Sequence, residues 1–148
     1  MNFEEHMKDK ELNSLVTQFS HFLAENRNSD KPLNIVLTGV GPRMTQSLKK
    51  RDAHNWASWL NLVHEENYDK IYEKKDLVYL TGDSENDMES YDPNKLYIVG
   101  GLIDHNKLKN ITLDRAKNEY IRHERFPIAK YVNLKACGIL AVNHVLNI

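Results

Sequence analysis

Three short apolar runs, each leading straight into a glycine, constrain this chain more than any other feature. They are "LNIVLTG" at 33–39, "DLVYLTGDS" at 76–84 and "KLYIVGG" at 95–101. Runs of this length and continuity read as buried strands, and the glycines that stop them read as turns. Helical patterns lie between them. Leu12, Leu15, Val16, Phe19, Phe22 and Leu23 recur at the spacing of one helix face, which predicts a helix over 9–26. "PRMTQSLKKR" (42–51) predicts a basic helix opened by Pro42. "ENDMESY" (85–91) predicts a short helix after the Thr-Gly-Asp-Ser turn, and "TLDRAKNEY" (112–120) one capped by Thr112. "RHERFPIAKY" (122–131) reads as a short strand and a proline turn, and 138–148 as an apolar segment. The weakest pattern is at 53–75, where Trp56, Trp59, Leu60 and Val63 fit one helical face. Strands alternating with helices predict an α/β domain with a mostly parallel sheet. Such sheets bind ligands beyond the carboxyl ends of their strands, here "LTGVG", "LTGDS" and "VGGLIDHN".

At 148 residues the chain fits one domain with a core of its own. No apolar run reaches the roughly 18–20 residues of a membrane span, and "MNFEEHMKDKE" has no apolar signal region. The single cysteine, Cys137, cannot form an internal disulfide and suits a reducing compartment, cytoplasm or nucleus. The net charge of −1 conceals an asymmetry: residues 1–104 hold 12 Lys+Arg against 18 Asp+Glu, residues 105–135 hold 8 against 3. A positive surplus confined to one stretch suits a polyanionic partner, and equally a solvated face.

Few chemical motifs are present. "GVG" at 39–41 lacks the rest of a dinucleotide fingerprint, and there is no phosphate-binding GxxxxGK[ST]. The seven histidines form no HExxH and no close Cys/His pairing, so no metal site is expected. Cys137 with His144 lacks a third orienting group. Asp83, Asp87 and Asp104 could form a magnesium cluster, although Asp83 and Asp87 are more simply helix-start residues. Gly100 and Gly101 permit close approach by a ligand or another backbone. Asp104 follows them at the end of an apolar strand. A carboxylate there suits a general base, or a cap on nearby backbone N–H groups.

The combination "VYLTGDS", "YIVGGLIDHN", "RFPIAKY" and "LAVNHV", in that order, resembles the SPOUT-type tRNA methyltransferases that modify N1 of the purine at tRNA position 9. The upstream helix and strand resemble that family too. The resemblance implies an α/β SPOUT fold with helices on both faces of the sheet and a C-terminal trefoil knot, in a single domain over 1–148. It also implies that the family's basic N-terminal region, first strand and terminal helix have no counterpart in 1–148. S-adenosylmethionine is the implied cofactor, walled by Leu80, Thr81, Gly101, His105, Asn106, Lys107, Leu108, Lys109, Ala116, Phe126, Ile128, Ile139, Leu140 and Ala141. The family's proposed base falls on Asp104. Implied tRNA contacts are Arg43, Lys49, Lys50, Arg51, Lys107, Lys109, Arg115, Arg122 and Arg125, on a protein acting as a monomer. The alternatives are a noncatalytic RNA- or partner-binding core of this fold and an unrelated nucleotide-binding α/β enzyme.

Overall fold

A computed structural model of the chain describes residues 3–51, 62–103 and 108–128. The chain divides into two compact units. One comprises 1–71 with 101–105 and 141–148, the other 72–100 with 106–140.

The first unit is built on helix α1 (Asp9–Arg27). Leu12, Leu15, Val16, Phe19, Phe22 and Leu23 are all buried, as the spacing predicts. The Glu11 carboxylate accepts the Lys8 N–H at 2.8 Å, and Asp9 and Arg27 sit at the ends that the helix dipole favours for their charges. Helix α2 (Pro42–Arg51) packs on α1 through Met44 and Leu48. Its first turn is capped from a distance: Glu4, buried, accepts the Met44 N–H at 3.0 Å. Leu102 and Ile103 join this core, and Gly101 lies beside Leu15.

The strand expected at 33–39 does not form. The segment makes one isolated parallel bridge, Leu37 to Val63. Its bonds include Leu37 N–H to Leu62 O at 2.6 Å, His64 N–H to Leu37 O at 2.8 Å and Gly39 N–H to Glu66 O at 2.8 Å. Leu33 and Val36 stay exposed, so only the second half of the run finds a partner. Gly39 turns the chain at φ +65, and a Cβ there would meet Asn67 Oδ1 at 2.5 Å. Val63 therefore belongs to a bridge and not to a helical face, while Trp56, Trp59 and Leu60 lie outside the described residues. A one-turn helix α3 (Tyr68–Ile71) ends this part.

The second unit holds the sheet. Strands β1 (Leu77–Leu80), β2 (Leu96–Val99) and β3 (Arg122–Glu124) pair in the order β2-β1-β3, both pairs parallel. The central strand is buried across Leu77, Val78 and Tyr79, which is why it reads as an unbroken apolar run. Helix α4 (Ile111–Asn118) packs on β1 and β3 with Leu113 and Ala116 inward.

The helix expected at 85–91 is absent. Asn86 and Met88 instead exchange backbone bonds with Arg125, at 2.8 Å each, and Asp87 bridges to Arg125. Seven residues whose apolar side chains are Met88 and the terminal Tyr91 present no packing face, and Arg125, just beyond β3, supplies the competing backbone partners. Thr112 is not the cap of α4 either: Asn110 occupies that position at φ 62. The knot expected toward the C-terminus falls on 129–148, outside the described residues.

Candidate active site

The carboxyl end of β1 opens into the loop Thr81, Gly82, Asp83 and Ser84, which is fastened on three sides. Thr81 donates its N–H to Glu124 O at 2.9 Å, and its hydroxyl lies 2.7 Å from that of Thr112 on α4. Asp83 Oδ2 accepts the Asn110 N–H at 3.2 Å. The fully buried Ser84 hydroxyl lies 2.8 Å from His123 Nδ1 and accepts the Asn86 N–H at 3.1 Å. The loop after β1 is thereby tied to the residues that open α4 and to β3.

Several residues expected at the cofactor belong to the same unit as this loop. Thr81 is buried, Leu80, Phe126 and Ile128 are half-buried, and Leu108 and Lys109 are exposed. Ala116 has no exposed surface, and its carbonyl accepts the Ile121 N–H at the end of α4. Gly101 belongs to the other unit. Asp104, His105, Asn106, Lys107, Ile139, Leu140 and Ala141 lie outside the described residues. Small polar and half-buried apolar groups at a strand end suit a mixed apolar and hydrogen-bonding ligand.

The two other aspartates serve the fold. Asp83 holds Asn110, and Asp87 pairs with Arg125 Nε at 2.7 Å. Among the described residues no three His, Cys, Asp or Glu side chains are grouped to hold a metal, and no helix is long and apolar enough to cross a membrane.

Arg43 turns inward, donating to Glu4 O at 2.7 Å, Met7 O at 3.0 Å and Asp9 Oδ1 at 2.6 Å. Arg115 pairs with Glu119 at 3.0 Å, Arg122 with Glu124, and Arg125 with Asp87. Lys49, Lys50 and Arg51 are exposed on the last turn of α2. Arg43 and Lys49 line an open cleft of about 850 Å³ with Thr45, Gln46, Glu65 and Asn67.

Two features escape a reading of the sequence. Gln18 on α1 carries the one buried side-chain atom without a hydrogen-bond partner among the described residues, its Oε1. It stands one turn beyond Leu15, which Gly101 approaches. A polar residue in an amphipathic helix gives no signal of such burial. The second is Tyr79, whose phenol burial pushes up to about 12; Arg115 nearby lowers it and Glu119 raises it.

A family model described as tRNA (guanine(9)-N(1))-methyltransferase TRM10/TRM10A matches residues 1–148. The chain belongs to this family. It is 35% identical to tRNA methyltransferase 10 homolog A of Rattus norvegicus, over 99% of this chain and 44% of that protein. It is 31% identical to the tRNA (guanine(9)-N1)-methyltransferase of Schizosaccharomyces pombe, over 99% of this chain and 49% of that protein. The chain thus spans about half the length of the curated relatives it matches. The crystal structure of spTrm10(74) superposes with a TM-score of 0.88 at 30% identity, covering 97% of this chain and 79% of that one. That of the full-length spTrm10–SAH complex gives 0.88 at 31% identity and the same coverage. The TRM10 chain described above accordingly has the SPOUT-type α/β fold that the sequence predicts.

Proposed function

We propose that this TRM10 chain methylates N1 of the purine, guanine in the first instance, at position 9 of tRNA, as a monomer in the cytoplasm or nucleus. The observation that carries this reading is the family match over all 148 residues, supported by superposition on a relative solved with SAH. S-adenosylmethionine supplies the electrophilic methyl group. Leu80, Thr81, Gly101, the 105–109 loop, Ala116, Phe126, Ile128 and 139–141 are the residues proposed to hold it. The hydroxyl pair of Thr81 and Thr112 and the Asp83–Asn110 bond keep two of those segments in fixed relation.

Guanine N1 bears a proton and is a poor nucleophile until that proton leaves. Asp104 is proposed to take it, and general-base assistance of this kind is worth about 10²–10⁴-fold. Lys49, Lys50, Arg51, Lys107 and Lys109 are proposed as phosphate contacts. Arg43, Arg115, Arg122 and Arg125 bring charge to the same role while already holding the fold, which limits their reach.

Calorimetric titration of the protein with S-adenosylmethionine tests the cofactor assignment, and the expected result is saturable one-site binding. In methyl transfer, Asp104→Asn should lower the rate on a G9 tRNA by about 10²-fold or more, with cofactor affinity unchanged. Equal rates for the variant and the wild type would remove Asp104 from the base role.

A further inference from the structure

The turn from α4 into β3 carries a backbone outlier. The Ile121 N–H bonds Ala116 O at 2.9 Å and the Tyr120 N–H bonds Lys117 O at 3.1 Å, the two bonds that close a helix when the residue between takes the left-handed conformation. That residue is Tyr120, at φ 57. Glycine normally stands there because any Cβ is strained, and a bulky side chain more so. Burial does not offset the strain, since Tyr120 is 89% exposed against 61% for Tyr91, the next most exposed large apolar residue described. Tyr91 at least stacks on Tyr97, whereas Tyr120 makes no ring contact among the described residues.

A strained aromatic side chain that is 89% exposed points to a partner outside the chain. Its neighbours indicate which kind. Lys117 is exposed one turn back on α4, and the Arg122 side chain, two residues on, is 68% exposed while its guanidinium pairs with the buried Glu124. Cations flanking an aromatic ring suit phosphates flanking a base. We infer that Tyr120 is a stacking platform for an unstacked nucleobase of the RNA substrate, with Lys117 and Arg122 set against the adjoining phosphates; this rests on the tRNA reading above.

The platform lies away from the chemistry. Arg122 pairs in register with Val78 and Glu124 with Leu80, so Tyr120 precedes the amino end of β3 while Thr81 follows the carboxyl end of β1. The ring therefore meets the RNA at a point other than the methylated base, and affects affinity without affecting the methyl-transfer step.

The test compares wild type, Tyr120→Phe and Tyr120→Gly for tRNA Kd, S-adenosylmethionine Kd, kcat and thermal midpoint. Base–aromatic stacking predicts tRNA affinity about 5- to 150-fold weaker in Tyr120→Gly, with kcat and cofactor Kd unchanged. Its thermal midpoint should be equal or higher, because glycine relieves the turn, and Tyr120→Phe should bind tRNA within about twofold of wild type. Loss of affinity together with loss of stability would overturn the inference, as would undiminished tRNA binding by Tyr120→Gly. In the latter case a wild type that still methylates tRNA leaves the functional reading standing. A wild type that binds no tRNA at all overturns both.

Discussion

Tyr79 lies in the middle of the central strand with 1% of its surface exposed. Its phenol is held neutral by burial, with a folded-state value of about 12 against the ordinary 10.0. Stability owed to the neutral phenol is complete below pH 10 and is lost as pH rises from 10 toward 12, to a total on the order of 2–3 kcal/mol. Urea midpoints at pH 8 and pH 11.5 should fall apart steeply for wild type and less steeply for Tyr79→Phe, which has no phenol to ionise. Parallel losses in the two proteins would place the alkaline transition elsewhere. At this scale the sequence conceals much, because a tyrosine in "LVYL" announces burial but not what surrounds it. The same holds for Arg43, which the family resemblance implies as a tRNA contact. The structure shows its guanidinium bonded to two carbonyls and a carboxylate of the preceding segment.

Among the elements, α1, α2, β1, β2 and α4 follow the sequence pattern to within a residue or two, because each carries its own periodicity or apolar run. The failures share one cause, competition from partners distant in sequence. The 33–39 run becomes a bridge because only residues beyond Leu37 find backbone partners. Residues 85–91 lose their helix to Arg125, and Thr112 spends its hydroxyl on Thr81 instead of on its own helix start. The start of α2 shows this most directly, since its cap, Glu4, lies 40 residues earlier in the chain. Removing a buried capping carboxylate strands the Met44 N–H, so Glu4→Ala should cost about 1–3 kcal/mol in chemical denaturation. Glu4→Gln, which keeps an acceptor, should cost less. If both variants denature with wild type, the cap contributes nothing to α2.

For the whole molecule, the parallel sheet was legible from two of the three glycine-terminated runs, those that become β1 and β2, and the family from four ordered motifs. The candidate site was legible only in part. Leu80 and Thr81 stand where the strand pattern puts them, whereas the fastening of their loop through Thr112, Asn110 and His123 required the fold. Gln18 and Tyr120 were invisible for a different reason: one is defined by a missing partner and the other by a backbone angle.

The central claim is that the chain transfers a methyl group to N1 at position 9. The most direct measurement incubates it with labelled S-adenosylmethionine and matched tRNA transcripts bearing G9 or C9, then maps the modified nucleotide. The account predicts 1-methylguanosine at position 9 of the G9 transcript and no label in the C9 transcript. Label at another position, or equal label in both transcripts, would contradict it.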